Sequence, residues 1–440
     1  MRTANSIYLT VNDNFPRQTF VLQAMGAAWK RSGVRIITRD TSDSFLLSQL
    51  IRDLPPYAKV VETVEFIMPN KHQQAVEYAQ AKGVMGMNLD WLLPQDAFLP
   101  YHTVQRIGTI WTHDLHLLEE FRLKRLQKTC SFDDCLKHEK SIHLCWHPAA
   151  EGEAEMLGLK YISFPPAAPL EWTQLPIQEA REPRFLFIGN IGHTEYPLAK
   201  AVRAIELGGS LELLRKMALK ELLYDPLIAS WSSKEPSLPS LVKDIFELKI
   251  SDVNKPFAKL FDDNQISSSN ASCWLKEQNL LMKFLYKLKN IFRYDRPALA
   301  YKLVSRGLIN IYSSDQERWE WYGLYAFPKP PIHQLPQLYM KHIGYVDIPD
   351  AIQESFFSEK AFEAAACGRL PLFAPHVPPP LKVPTAPDVD SWINFLTENY
   401  GTFTFAAQHE AEARKQIVET HTWDHRINLV HFSELEETAP

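Results

Sequence analysis

The sequence predicts an α/β protein built on two parallel, doubly wound sheets. Three observations lead to this fold class: a length of 440 residues, short apolar runs that alternate with amphipathic stretches, and a proline-rich segment between two such series. A chain of this length exceeds one ordinary hydrophobic core, so two or three domains are expected. Regular alternation of strands and helices favours parallel sheets with right-handed crossovers.

The first half of the chain supplies six strand candidates separated by helical segments. The strands are predicted over 6–11, 34–38, 59–67, 84–89, 107–111 and 141–146, and the helices include 17–32, 71–82 and 116–128. Ligands of such sheets bind beyond the carboxyl ends of the strands. Two loops at those ends are therefore of interest: one contains Asp13, and the other contains His113 and Asp114.

A second α/β series follows the proline-rich stretch 164–169, which we interpret as an interdomain linker. Its strands are predicted over 184–190, 308–312, 342–346 and 370–373. The polar, Lys- and Ser-rich region 208–294 interrupts the rhythm and is predicted to be a mainly helical insertion in the second domain. The predicted boundaries are 1–168 for the first domain, 169–420 for the second, and 421–440 for a closing helix and tail.

Composition narrows the functional classes. The hydrophobic content of 45% is that of a globular protein, and a formal charge of −5 argues against non-specific polyanion binding by the whole chain. Five cysteines, an odd number, do not suggest a disulfide framework. The sequence shows neither a signal-peptide layout nor a run of 18 apolar residues. These features together predict a cytoplasmic protein.

The most informative segment is Phe-Glu-Ala-Ala-Ala-Cys-Gly-Arg-Leu-Pro-Leu-Phe at 362–373. It predicts a short alanine-rich helix, a stop at Gly368 and an apolar strand covered on both faces. Glu363 is its only carboxylate, set among small side chains where a ligand could approach the backbone closely.

This segment resembles the nucleotide-sugar helix of GT-B glycosyltransferases, and the chain is similar to the spore-maturation, CgeB-like branch of that fold. Three further segments carry the resemblance: Phe-Ile-Gly-Asn at 187–190, His-Ile-Gly-Tyr-Val at 342–346, and His-Thr-Trp-Asp-His-Arg at 421–426. The resemblance covers about 184–207 and 296–430. It implies two Rossmann-like domains, with an acceptor domain first, a nucleotide-sugar domain second, and the donor bound in the cleft between them.

The resemblance implies a metal-independent glycosyltransferase that uses a nucleotide-sugar as substrate and needs no cofactor. Its leaving group is a nucleoside diphosphate, whose growing charge requires cations, backbone N–H groups or a helix N-terminus. Glu363 would contact the ribose, and Lys360 would face the diphosphate. The full set of implied donor-binding residues is Gly189, Asn190, His193, Arg296, Tyr312, Gly344, Lys360 and Glu363.

Two departures from the family pattern bear on mechanism. Many retaining GT-B enzymes carry a first glutamate eight positions before the second, but Ser355 stands there in this chain. The CgeB-like branch often has arginine where this chain has Lys360, and lysine lacks the bidentate fork of arginine. Inverting and retaining stereochemistry therefore both stay open.

If the enzyme inverts, a base at a strand end of the first domain would deprotonate the acceptor. His113 and Asp114 are the first candidates, because histidine titrates near neutrality. Asp114 could instead cap a helix that begins at Leu115. Asp13 is a further candidate for the base.

A group of cysteine and histidine residues lies within 18 positions. These residue types bind zinc, but the spacing lacks a Cys-x-x-Cys knuckle, so packing is favoured and no metal is expected. The members are Cys130, Cys135, His138, His143, Cys145 and His147.

The acceptor could be a glycan, a protein, a lipid-linked molecule or a nucleic acid. The stretch 274–293 predicts a basic amphipathic helix that suits either a peripheral membrane or protein contact, or a core helix with lysines on its wet side. The aromatic stretch 319–325 could stack on a sugar or nucleobase, or line an interdomain surface. Two alternatives to the transferase stay open: a non-catalytic GT-B-like binding protein, and another sugar-nucleotide enzyme such as an epimerase.

Overall fold

The computed structural model describes twelve stretches of the chain. They are residues 6–11, 16–40, 59–63, 105–110, 141–157, 161–177, 181–191, 207–278, 280–349, 357–375, 380–399 and 403–430. The chain divides into two compact units: unit 1 comprises 1–146, 150–165 and 423–440, and unit 2 comprises 147–149 and 166–422. Within the described stretches, no helix combines the length and apolar character needed to cross a membrane.

Unit 1 contains a six-stranded parallel sheet with the strand order β2-β1-β3-β4-β5-β6. The first strand has the predicted bounds, whereas the predicted strand 84–89 and the predicted helices 71–82 and 116–128 lie outside the described residues. The elements are β1 (Ser6–Val11), α1 (Pro16–Arg31), β2 (Arg35–Asp40), β3 (Lys59–Thr63), β4 (Gln105–Ile110), β5 (Ser141–Cys145), α2 (Pro148–Leu157) and β6 (Tyr161–Ser163).

Unit 2 contains a five-stranded parallel sheet with the order β11-β10-β7-β8-β9. Its strands are β7 (Phe185–Ile188), β8 (Ile309–Ser313), β9 (Phe327–Pro328), β10 (Gly344–Asp347) and β11 (Leu370–Phe373). Side chains alternate between two buried clusters, one on each face, so that Phe187 packs on one face and Ile188 on the other. Burial on both faces explains why β7, β10 and β11 are nearly continuous apolar runs. The predicted α/β class is confirmed.

Helices make up most of the rest of unit 2. They are α3 (Leu211–Leu223), α4 (Pro226–Ser232), α5 (Leu238–Ser251), α6 (Phe257–Leu260), α7 (Asn264–Ser267), α8 (Asn270–Glu277), α9 (Leu281–Lys289), α10 (Asp295–Val304), α11 (Gln316–Glu320), α12 (Leu335–Lys341), α13 (Glu359–Ala366), α14 (Val389–Glu398) and α15 (Phe403–Thr420). Short 3₁₀ turns occupy Leu170–Gln174, Asn290–Phe292 and Ile332–Gln334. The last helix, α16 (Trp423–Ile427), belongs to unit 1.

The predicted basic helix 274–293 differs from the structure. Two helices, α8 and α9, occupy this stretch with a break between them. Lys287, Lys289 and Arg293 are buried rather than exposed. Lys287 pairs with Asp225 at 3.3 Å, and Arg293 pairs with Glu221. Three of the five lysine and arginine side chains in 274–293 are therefore buried, and the membrane or protein contact stays a prediction.

The helix–glycine–strand unit at 362–373 is confirmed. Helix α13 ends at Ala366, and Gly368 follows with a φ of 72°, the left-handed conformation that closes a helix. Strand β11 then begins at Leu370, as predicted. This unit fixes the position of Glu363 on a buried helix packed beside the sheet.

Candidate functional site at the carboxyl edge of the unit 2 sheet

Polar residues from three strand ends are found at the carboxyl edge of the unit 2 sheet. Asn190 follows β7, Ser313 ends β8 and Ser314 follows it, and Asp347 ends β10. Because parallel strands all finish at the same edge, residues distant in sequence meet there. This edge is where ligands of such sheets bind.

Asn190 is the centre of a small hydrogen-bond group. Its side-chain Oδ1 accepts from Ser313 Oγ at 2.8 Å and from Ser314 Oγ at 3.0 Å. The backbone N–H of Asp315 donates to Ser313 Oγ at 3.0 Å. Asn190 and Ser314 are exposed, whereas Ser313 is buried. The group therefore has a fixed interior side and an accessible outer side.

Arg296 connects the ends of two strands. Helix α10 precedes β8 and leads back to its amino end, so its first turn, with Arg296, lies at the carboxyl edge. The Nη1 atom donates to the carbonyl oxygen of Asn190 at 2.5 Å. The Nε atom donates to the carbonyl oxygens of Ile348 at 3.1 Å and Pro349 at 3.2 Å. The guanidinium thus holds the turns after β7 and β10 together while remaining partly exposed.

Gly189 has a packing role. Its N–H donates to the Tyr312 carbonyl at 3.0 Å, and its carbonyl accepts from Trp319 Nε1 at 3.1 Å. A Cβ at this position would lie 2.8 Å from Cζ of Phe187. The glycine is needed for close packing against that ring, and its N–H is already used by the sheet.

Asp347 is a site residue that the sequence reasoning missed. It is buried at the start of α13, where Oδ2 accepts from the Ser358 N–H and Oδ1 from Ser358 Oγ, both at 2.8 Å. Burial raises the pKa of the Asp347 carboxyl, and the bonds from Ser358 oppose that rise. A polar residue directly after an apolar strand was the available signal.

Lys360 and Glu363 lie on α13 in different surroundings. The Lys360 side chain is 19% exposed, and its Nζ lies 3.9 Å from Glu359 Oε1. Glu363 is only 1% exposed, and its Oε2 accepts from the hydroxyl of Tyr339 at 2.9 Å. The ammonium of Lys360 is therefore partly accessible, and its charge opposes the rise that burial causes in the pKa of Asp347 at the carboxyl edge, whereas the carboxylate of Glu363 lies in the interior.

The backbone of Tyr312 lies beside Gly189, but its ring and Gly344 are directed away from the group of Asn190 and Arg296. Gly344 opens β10 at the opposite, amino edge, where a Cβ would lie 2.9 Å from the Leu370 carbonyl oxygen. Tyr312 stacks on Phe327 at 5.1 Å between ring centroids, and burial raises the pKa of its hydroxyl. Both positions are explained by packing in this structure.

Several predicted residues lie outside the described stretches. Asp13, His113, Asp114 and His193 are among them, as are Cys130, Cys135 and His138 of the suggested zinc group.

Three members of that zinc group lie in described stretches, and the side chains of two of them, Cys145 and His147, are described. Cys145 and His147 are buried, and burial raises the pKa of the Cys145 thiol. In the part of the chain that the structure describes, no three histidine, cysteine or acidic side chains are grouped as a metal site would require.

The aromatic stretch 319–325 is mostly interior. Trp319 and Tyr322 are buried in the core of unit 2, whereas Tyr325 is 63% exposed. Core packing therefore accounts for most of this stretch.

Comparison with protein-family models and with curated proteins finds no match to this sequence. The chemistry of the site therefore has to be argued from its own groups. The carboxyl edge presents a guanidinium, a primary amide, a hydroxyl and an ammonium from Arg296, Asn190, Ser314 and Lys360. Hydrogen-bond donors dominate this set, and donors beside cations suit an oxyanion.

Proposed function

We propose that the protein is a glycosyltransferase of the GT-B kind, related to the CgeB-like branch, which transfers a sugar from a nucleotide-sugar to an acceptor. The donor diphosphate would be held at the carboxyl edge of the unit 2 sheet. The observation that carries this proposal is the position of Arg296, which joins the turns after β7 and β10 through Asn190, Ile348 and Pro349.

The charge chemistry of the reaction explains why such a position is useful. Glycosyl transfer leaves a nucleoside diphosphate, and groups fixed in place before the reaction stabilise its growing charge most effectively. Arg296 is held by three main-chain carbonyls, so its guanidinium needs little reorganisation. Lys360, in the first turn of α13, adds a second cation beside the positive end of that helix.

Glu363 enters the proposal differently. The family resemblance assigns it to the donor ribose, but its carboxylate is interior and is bonded to Tyr339. That environment favours a role in joining α13 to α12. Ribose recognition by Glu363 stays a prediction, which the experiment below separates from the role of Arg296.

A second candidate function is a non-catalytic GT-B-like binding protein. The interior position of Glu363 favours it, because a descendant that had lost donor chemistry would retain the carboxylate only for packing. In that case the carboxyl edge would still bind a nucleotide but would not activate a sugar.

The test is release of nucleoside diphosphate from a panel of nucleotide-sugars without acceptor. The variants are Arg296→Met, Glu363→Gln and the control Arg306→Met; the exposed side chain of Arg306 donates to the Lys302 carbonyl near the other end of α10. We expect slow release from one donor, a loss of about tenfold or more in Arg296→Met because a charged hydrogen-bond donor is removed, and no change in the control. Loss in Glu363→Gln at unchanged stability would support ribose contact.

Two other outcomes are informative. A thermal shift with a nucleoside diphosphate but no release from any donor would favour the non-catalytic protein. If no nucleotide gives a thermal shift and no donor releases a nucleoside diphosphate, both functions are contradicted.

A further inference from the structure

The orientation of the Asn190 side chain is set by neighbours on β8. Ser313 Oγ accepts the backbone N–H of Asp315 at 3.0 Å, which leaves its hydroxyl proton to donate to Asn190 Oδ1 at 2.8 Å. Ser314 Oγ donates to the same oxygen at 3.0 Å. A carbonyl oxygen has two lone pairs, so both acceptor positions of the Asn190 amide are filled.

The consequence concerns the other half of the amide. With Oδ1 directed at β8, the two N–H groups of Nδ2 are directed away from it, and no residue within the described stretches accepts from them. Asn190 is exposed, and its own carbonyl oxygen is bonded by Arg296 at 2.5 Å. The side-chain amide of Asn190 and the guanidinium of Arg296, which bonds to the Asn190 carbonyl, are therefore both found at the carboxyl edge.

We propose that Ser313 and Ser314 are positioning residues that hold the Asn190 amide with its N–H groups toward a ligand oxyanion. This inference rests on the proposed function, in which that oxyanion belongs to the donor diphosphate. An anion fits better than a neutral hydroxyl, because the outward amide offers only donors and lies beside a cation. The end of β8 thereby contributes to the site although neither serine need touch the ligand.

The probe for this inference is inorganic pyrophosphate, which carries the diphosphate chemistry without a base or sugar. Its dissociation constant would be measured by titration calorimetry on the full chain. The variants are Asn190→Asp, which replaces the N–H donors by a charged oxygen, Ser314→Ala, and Ser314→Thr, which keeps the hydroxyl. The control is Ser305→Ala, since Ser305 follows α10, away from the site, and its hydroxyl donates to the Lys302 carbonyl at 3.1 Å. Thermal unfolding would verify that each variant is folded.

We expect Asn190→Asp to weaken pyrophosphate binding by about tenfold or more, and Ser314→Ala by about threefold, as loss of a neutral orienting bond predicts. Ser314→Thr and Ser305→Ala should bind like the wild type. The threonine variant tests the hydroxyl directly, because it keeps the hydroxyl while enlarging the side chain. Affinity like that of the wild type would therefore argue against a role of side-chain size alone.

Two results would overturn the inference. Equal affinity in all variants would mean that the amide does not face the anion, and absence of pyrophosphate binding by the wild type would mean that the edge is no oxyanion site. Donor hydrolysis tests the proposed function separately. If Asn190→Asp hydrolyses the donor like the wild type, the glycosyltransferase proposal stands and only the role of the Asn190 amide is rejected.

Discussion

The two edges of the unit 2 sheet use similar side chains in opposite ways. At the amino edge, His342, Asn310 and Arg369 are buried and bond to neighbouring side chains and carbonyls. At the carboxyl edge, Asn190 and Arg296 bond to strand-end serines and carbonyls while remaining accessible. The comparison teaches that residue type alone does not mark a site. What distinguishes the carboxyl edge is that its donors are fixed in place from the inside.

His342 shows the amino-edge arrangement. It is fully buried, its Nδ1 bonds to the Leu338 carbonyl at 2.9 Å, and its Nε2 lies 3.3 Å from Asn310 Nδ2. The Asn310 amide is oriented by Arg184, which donates to its Oδ1 at 3.1 Å. An N–H group of Asn310 therefore faces the histidine. His342 must accept at Nε2, which requires the neutral ring with its proton on Nδ1.

A buried ion cluster lies close to this histidine. Glu410 Oε1 accepts a hydrogen bond from Arg181 Nη1 at 2.7 Å and lies 4.0 Å from Nη1 of Arg369. Arg369 is fully buried, and burial lowers the pKa of its guanidinium to about 10, so it is still charged at neutral pH. Both arginine side chains thus pair with the carboxylate of Glu410.

The largest effect is expected from Glu410→Ala, which leaves both arginines without that carboxylate in the interior. Removing one partner of a buried ion pair costs about 3–5 kcal/mol in the free energy of unfolding. The control is Glu419→Ala on the same helix, where the ion pair with Lys415 is exposed and a change below about 0.5 kcal/mol is expected. Chemical denaturation measures both. If both substitutions had equally small effects on the free energy of unfolding, the buried and the exposed ion pairs would not differ in their contribution to stability.

A smaller effect is expected from Gly344→Ala at the amino edge. The new Cβ would meet the Leu370 carbonyl oxygen at 2.9 Å and Phe185 Cδ1 at 3.1 Å, so overpacking should cost about 1–3 kcal/mol in the free energy of unfolding. Pyrophosphate affinity should not change, because Gly344 lies at the wrong edge. A loss of affinity at unchanged stability would return Gly344 to the donor site, as the family resemblance implies.

The same comparison shows what the sequence could reveal. Strands 6–11 and 370–373 were predictable because apolar runs between turn residues mark buried strands. The burial of Lys287 and Arg293 was not predictable, since it depends on Asp225 and Glu221, more than 60 positions away. The sequence also predicted a single long helix where the structure has α8 and α9.

The site was predictable only in part. The family resemblance implies Asn190 and Arg296 as donor-binding residues, whereas Ser313 contacts Asn190 across 123 positions. Glu363 was expected to face a ligand, but the tertiary position of Tyr339 encloses its carboxylate. Sequence spacing identifies side chains on one element, and only packing decides which of them stay accessible.

The pH dependence of stability sharpens the account of the amino edge. Burial lowers the pKa of the His342 ring, and the positive charges of Lys341 and Arg369 lower it further. The carboxylate of Glu182, 3.6 Å away, opposes this shift. The unfolded chain then binds a proton at higher pH than the folded protein. The stabilisation is present above the unfolded pKa of about 6.5 and is lost as pH falls through the folded value.

The expected slope is at most about 1.4 kcal/mol per pH unit for this one proton. The difference in free energy of unfolding between wild type and His342→Gln, measured from pH 5 to 8, should shrink on acidification. The matched variant His333→Gln, at an exposed position, should leave the profile unchanged. A difference that grows on acidification would mean that His342 is charged when folded.

The most direct test of the central claim is nucleoside diphosphate affinity in two arginine variants. Arg296 lies at the carboxyl edge, and Arg184, exposed and bonded to Asn310, lies at the amino edge of the same sheet. Titration of a panel of nucleoside diphosphates should find one that binds the wild type and Arg184→Met equally, and Arg296→Met about tenfold or more weakly. Unchanged affinity in Arg296→Met, or an equal loss in Arg184→Met, would contradict the assignment of the site to the carboxyl edge.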